Sequence, residues 1–526
     1  MQSLFSGNQN IYFLWALDHL LPNAFAADPL LNSPDPYPLF SWLIGLFPMQ
    51  GLAIWTTIIY VSLNSVYTYS LFGIANIFGK IYENPNRLLS FSGLFLAIHS
   101  TAIWGTFIGL QNDFDLRWVW DSGIAEQGVL RGYLQPSVFG VFLLLSVFRA
   151  SKKDYAAAIL WIAPAAMIHA NYLFLGAILT VVYLGLSQFN KRSILASAIL
   201  LLLVAPYTYY TANHFLLLDE SMKSAINNAV IAGYDSNIHL NPSNWLQPKF
   251  YFQTGLLLIG VLLIWKTSLK PLFLTILSLT IGLTAMAYVT DSTTLISLNP
   301  WRLSVLLIPI SSVVLLAKFI GSSRWKKEES IITLSIGMIC AATVCFRVFG
   351  DGSTEFMQAW NTAFFIGLII AAFIGWFFSK RLPTPVKSAF KIAMVFALMV
   401  AGLTEFHIEN KTKKFQAQFA AISALAENTE PNTVYIIPPS WTSFRMNASK
   451  SVFVDENLVY GKALPDLMTR LKAINQAFSS NDFKAVLSSI PSGTSVKLIT
   501  NSNSPITTAI SEESLTENYS CYLLRE

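Results

Sequence analysis

Residues 152–192 read KKDYAAAILWIAPAAMIHANYLFLGAILTVVYLGLSQFNKR, an apolar stretch bracketed by two basic pairs. A helix needs about 20 apolar residues to cross a bilayer, so 155–187 is long for one crossing and short for two. Read as one span, it puts Lys152 and Lys153 on the opposite face from Lys191 and Arg192. Read as a hairpin turning at His169, Ala170 and Asn171 after Pro164, it keeps all four on one face. The choice sets the topology of everything on either side.

The composition is that of an integral membrane protein. The chain has 526 residues, 54% hydrophobic and 12% charged, with a mean hydropathy of +0.51; soluble domains carry about 25% charged residues. Apolar runs fall at 51–79, 88–110, 134–149, 155–169, 171–187, 193–212, 250–265, 271–289, 302–319, 330–348, 362–379 and 388–404, which predicts about twelve transmembrane helices. The connections at 80–87, 149–154, 191–192, 266–270, 318–329 and 380–391 hold 17 Lys and Arg. The alternate connections hold 6, with Arg302 and Arg347 counted at their edges. Lys and Arg mark the cytoplasmic side, and only the hairpin reading of 155–187 preserves the alternation. The fold class expected is therefore an α-helical polytopic membrane protein. Residues 1–404 form the membrane domain, with extracytoplasmic loops at 1–50, 111–133 and 213–249.

Both ends are expected outside. AlaPheAla at 24–26 imitates a signal-peptide cleavage site, but no Lys or Arg occurs before Lys80, so the basic segment that such a signal requires is missing. An outside N-terminus predicts either a first helix upstream of Met1 or a re-entrant SWLIGLF (41–47) in its place. Residues 405–526 are polar and alternating. TVYIIP (433–438), SVFVD (451–455), SVKLIT (495–500) and YSCYLLRE read as strands, and AISALA and LPDLMTRLKAINQAF as helices, which predicts a small extracytoplasmic α/β domain. Cys340, Cys345 and Cys521 make no disulfide framework, and no metal-ligand spacing is present.

Chemistry-bearing residues gather in the outer connections. The stretch 111–140, QNDFDLRWVWDSGIAEQGVLRGYLQPSVFG, carries Asp113, Asp115, Asp121 and Glu126 beside Arg117 and Arg131, with Trp118, Trp120 and Tyr133 between them. Carboxylates can serve as bases or hold a divalent metal, arginines can clamp phosphate, and aromatics can stack on sugars. The same composition also describes a solvated interfacial loop. His99 lies in mid-run, where a neutral imidazole hydrogen-bonded to a neighbouring helix is the expected state.

QNIYFLWALDHLLPNAFAADPLL, LRGYLQPSVFG, IHANYLFLGAIL and LNPWRL, in that order, resemble a family of bacterial polytopic proteins related to the GT-C glycosyltransferases. The resemblance implies a donor sugar on a polyprenyl phosphate, an essential acid in the first outer loop, and an extracytoplasmic acceptor that is an envelope glycan, lipid or protein. It implies a bacterial inner membrane and no nucleic-acid partner. On this reading Asp28 is the first choice of base and Asp18 the second, with Asp113, Asp115 and Asp121 as further acids. Asp35, between two prolines, reads as a turn residue. Arg302 and Arg131 would hold phosphate; Arg117, Tyr133, Gln135, His169 and Asn171 would line the substrate site. No cofactor is certain, and a divalent metal is left open. The rivals are a transporter or flippase, a polysaccharide polymerase or ligase, and a non-catalytic scaffold.

Overall fold

The computed structural model describes residues 9–99, 119–322 and 432–525, with Ile422 and Leu425. Interruptions fall at 22, 125–127, 131, 218, 233–247, 291–294, 296–299, 457–463, 502–508 and 517–518. Within this set the chain is mainly helical, with one small sheet near the C-terminus.

The hairpin is present. Tyr155–Leu160 and Ala163–Ile168 run out, His169 is extended (φ −135°, ψ 119°), and Ala170–Leu186 runs back. Gly176 is so close to Ile162 that an added Cβ would fall 2.5 Å from the isoleucine methyl. The Tyr155 and Tyr183 rings lie 6.4 Å apart at the other end. Pro164 lies in the first turn of the second short helix, the helical position that tolerates a missing N–H. At the turn, His169 caps the returning helix, its Nδ1 accepting from the Asn171 N–H at 3.3 Å.

Among the described residues four helices are long and apolar enough to cross a membrane: Met49–Gly79, Lys191–Phe215, Lys270–Val289 and Pro300–Gly321. Hydropathy predicts about twelve. Pro136–Ser151, Tyr155–Ile168, Ala170–Leu186 and Lys249–Ile264 are apolar but shorter, because an apolar run does not show where regular helix begins and stops. The helix Pro85–Ile98 covers the start of the 88–110 run, and 100–110 lies outside the described residues. The expected spans 330–348, 362–379 and 388–404 lie outside the described residues. Leu202 and Leu262 are 75% exposed and Val289 85%, a surface compatible with lipid rather than water.

The helix Leu52–Gly79 packs against Leu307–Gly321 through its smallest residues. Gly79 lies on the Ala317 carbonyl, and Gly321 lies on Gly79. Where lipid tails are as apolar as leucine, such close backbone approach is a main source of helix association.

The sheet has the order β2-β1-β3-β5-β4. Its strands are β1 Thr433–Ile436, β2 Ser451–Val452, β3 Ser495–Asn501, β4 Ser511–Ser514 and β5 Tyr519–Arg525. β1 lies parallel between β2 and β3, and β5 runs antiparallel to both β3 and β4. Leu464–Ser480 is the helical crossover from β2 to β3. Val434 and Ile436 belong to one cluster and Tyr435 and Ile437 to another. Both faces of β1 are therefore covered, as its uninterrupted apolar sequence requires. The polar edge strand β4 (SEES) carries no apolar alternation and was not expected. Of AISALA only Ile422 and Leu425 are described, and both are helical.

Gly79→Ala is expected to destabilise the protein by about 1–3 kcal/mol through overpacking against backbone. Gly185→Ala is the control, since nothing lies within 4 Å of its Cβ position. Thermal unfolding in detergent should show a lower Tm for the first variant than for the second.

Candidate functional site

Arg302 stands on the 3-10 helix Pro300–Leu306, which leads into Leu307–Gly321. Its neighbours on that turn are buried, while Arg302 is half-buried and lines a small cleft. A neighbouring loop holds the turn: the Ile124 N–H donates to Ser304 Oγ at 2.9 Å, and Ser304 Oγ donates to the Trp301 carbonyl at 2.6 Å. Gly123 is required here, because a Cβ would lie 2.5 Å from Ser304 Oγ. Gln253 fixes the same loop by donating to the Ser122 carbonyl at 2.8 Å.

The cleft is lined by the polar residues Ser137, His169, Asn171, Tyr172 and Arg302 and by the apolar Phe174, Leu175, Leu303 and Val305. The Tyr172 hydroxyl donates to the Ser137 carbonyl at 2.6 Å. His169 stacks at 4.9 Å on Tyr172 and at 5.3 Å on Tyr37, and Tyr37 meets Tyr12 edge-on at 5.0 Å. Burial, then the Arg302 charge, hold His169 down to about 3, so the ring is neutral. With Nδ1 accepting from Asn171, its proton resides on Nε2. Burial raises the hydroxyls of Tyr12 and Tyr37, with Arg302 opposing in both cases. The site is thus one guanidinium among neutral aromatic donors. Among the described residues, Arg302 Nε is buried without a hydrogen-bond partner, an arrangement that an anionic oxygen would complete.

An apolar groove of about 660 Å³ begins one residue before His169, at Ile168. Leu39, Leu43, Trp161, Met167, Ile168 and Leu203 are among its walls. Ile168 directly precedes His169, Leu39 is two residues past Tyr37, and Leu203 is one turn before Tyr207. The linings of the groove and the cleft thus adjoin along the chain at one point, Ile168 and His169, and Tyr37, whose ring packs on His169, leads toward the groove residue Leu39.

The acids are placed differently from expectation. Asp28 does not line the cleft; it is buried against the C-terminal domain. Its Oδ2 accepts from Arg445 Nε at 2.7 Å and from the Val452 N–H at 3.0 Å, and its Oδ1 accepts from the Leu30 N–H at 3.1 Å. Arg445 Nη1 donates to Asp455 Oδ2 at 3.0 Å. The structure thus places Asp28, engaged on both oxygens and 1% exposed, as an anchor of the C-terminal domain and away from the cleft lining. Burial alone would lower the Arg445 guanidinium, but Asp28 and Asp455 outweigh it and raise it.

Asp35, expected to be only a turn residue, lies two residues before Tyr37, whose ring packs on His169. Asp35 Oδ1 accepts from the Tyr37 N–H at 2.8 Å. Burial raises its carboxyl above the ordinary aspartate value, against the opposing effects of Ser41, the Tyr37 N–H and His19. The raised carboxyl is the signal that the sequence lacked.

Asp18 is half-buried on the helix Leu14–Leu20. Asp121 is buried on the loop that holds the Arg302 turn, within electrostatic reach of Tyr60 and Tyr67. Tyr133 acts electrostatically on Tyr12. Gln135 is buried at the start of the 3-10 helix Pro136–Gly140. Asp113, Asp115, Arg117 and Arg131 lie outside the described residues. His99 is a bridging imidazole: Nδ1 meets the Phe95 carbonyl at 2.9 Å, and Nε2 meets the Tyr67 hydroxyl at 3.2 Å. Because a carbonyl only accepts, Nδ1 carries the proton and the Tyr67 hydroxyl donates to Nε2. Among the described residues no group of three or more His, Cys, Asp or Glu could hold a metal ion.

No family model, curated protein or solved structure matches the chain. The functional reading therefore rests on the site itself.

The His169 environment sets a pH dependence. An unfolded imidazole titrates at its ordinary 6.5 and the folded one at about 3, so the unfolded chain binds the extra proton between them. Stability is expected to fall as pH drops from 6.5 toward 3, by up to about 1.4 kcal/mol per pH unit from this group. His169→Asn keeps a helix cap and should flatten that slope in denaturant titrations.

Proposed function

We propose that the protein is a membrane glycosyltransferase that takes a sugar from a polyprenyl-phosphate donor and passes it to an extracytoplasmic acceptor. The observation that carries the reading is Arg302, whose buried Nε lacks a hydrogen-bond partner among the described residues, in a cleft whose His169 directly follows Ile168 of the apolar groove. Such an arrangement fits an amphiphile with an anionic head and a long apolar chain. Arg302 holds the phosphate, and the His169 Nε2–H and the hydroxyls of Tyr12 and Tyr37 supply neutral donors around it. Arg131 and Arg117 remain candidates for further phosphate contacts.

Asp35 is the base of this arrangement. The acceptor hydroxyl gives its proton to Asp35, and its oxygen forms a bond to the anomeric carbon. The bond from that carbon to the phosphate oxygen breaks, and polyprenyl phosphate leaves with the electron pair. One carboxylate and one phosphate clamp suffice for such an in-line displacement, which inverts the anomeric centre. About twelve spans, basic connections in the cytoplasm and both termini outside would put the cleft on the outer face of a bacterial inner membrane.

Purified protein titrated with polyprenyl phosphate and its sugar-loaded form, with and without a chelator, tests this. Arg302→Ala is expected to weaken binding by about 10–100-fold, the worth of a charge-assisted hydrogen bond. Asp35→Asn should bind the donor but lose turnover by about 10²–10⁴-fold, and the acid limb of the wild-type rate profile should lie above the ordinary aspartate value of 3.8. A wild type without affinity for either lipid overturns the reading. Donor carried across a vesicle membrane without being consumed would establish the flippase instead.

A further inference from the structure

The segment from Asp28 to Tyr37, DPLLNSPDPY, joins two places far apart in the fold. At one end Asp28 is locked to Arg445 and to the backbone of β2, and Ser451 Oγ donates to the Ala24 carbonyl at 3.4 Å. At the other end Asp35 leads into Tyr37, whose ring packs at 5.3 Å on His169 of the cleft. We propose that the buried Asp28–Arg445–Asp455 clasp makes the C-terminal domain a positioning element for the cleft, holding Asp35 and Tyr37 in place through the stiff segment between them.

The segment is built to transmit position. Pro29, Pro34 and Pro36 fix φ at three of its ten residues, and Pro38 follows at once. Asp28 caps the 3-10 turn Pro29–Asn32, and the Ser33 N–H closes it on the Leu30 carbonyl at 3.1 Å. Trp15 Nε1 then donates to the Ser33 carbonyl at 3.4 Å. The Tyr210 hydroxyl donates to the Asp35 carbonyl at 2.8 Å and the Tyr207 hydroxyl to the Pro36 carbonyl at 3.1 Å. Little conformational freedom is left to absorb a displacement at Asp28 before it reaches Tyr37.

The clasp is also specific in a way that simple docking does not need. The side chains of Asp28, Arg445 and Asp455 are 0–1% exposed, and desolvated charges are costly unless fully paired. Asp28 takes the free N–H of the edge strand β2, so the domain's own edge is completed by the N-terminal loop. Arg445 and Asp455 touch no part of the cleft; they act through Asp28, as positioning residues. The inference rests on the proposed function only for what the cleft binds, not for the coupling.

Amide hydrogen exchange on the full-length protein in detergent tests the coupling. Asp28→Asn and Arg445→Lys are compared with wild type, with peptides from β3 and β5 as the internal reference. The expected result is exchange at least about tenfold faster over residues 29–41, with the reference unchanged. Affinity for polyprenyl phosphate should fall in parallel. Loss of a merely structural contact would speed exchange in the sheet as well. If Arg445→Lys unfolds the domain, Asp28→Asn decides, because it leaves the Arg445–Asp455 pair intact. Unchanged exchange over 29–41 in Asp28→Asn, with the sheet folded, overturns the proposal. A wild type that binds no polyprenyl phosphate but shows the exchange coupling defeats the proposed function and leaves this inference standing.

Discussion

Arg445 is wholly buried between two carboxylates that come from opposite ends of the chain. Asp455 is ten residues away on the same domain, and Asp28 is 417 residues away in sequence. An unpaired guanidinium at that depth would cost several kcal/mol, and each carboxylate alone would be as unfavourable. The three groups are tolerable only together. The C-terminal sheet and the N-terminal loop must therefore occupy one relative position, and the proline-rich segment carries that position on toward the cleft.

A second constraint governs the helical body. Backbone polar groups in lipid must be satisfied within the segment, so the apolar runs form helices even where they are short. Neighbouring helices then gain from close approach rather than from the hydrophobic effect. Gly79 against Ala317 and Gly176 against Ile162 are such approaches. At Ser304 and Gly123 the same closeness serves the site, because it sets the turn from which Arg302 projects.

Arg302, His169 and Asn171 were singled out through the resemblance, each at the end of an apolar run, and the structure brings the three to one cleft. The two aspartates were not legible. Asp28 in AlaAlaAspPro and Asp35 in ProAspPro are both short acidic residues beside proline, with the same local propensity for turns. Arg445 makes one of them an anchor, and burial beside the tyrosines raises the other. Both causes are distant in sequence. The strand Ser511–Ser514 was missed for a related reason: its pairing with β5 comes from backbone hydrogen bonds, with no apolar face to announce it.

The sequence by itself determined the class of the molecule, since transfer of apolar runs to lipid and the bias of Lys and Arg are nearly local properties. It also determined the hairpin at His169 and four of the five strands, each marked by periodicity or by flanking charge. Only the tertiary structure decided how long the described helices are, that Arg445 takes up Asp28, and that the C-terminal domain thereby grips the N-terminal loop. Those outcomes depend on desolvation and pairing between residues hundreds of positions apart, and no local pattern carries that information.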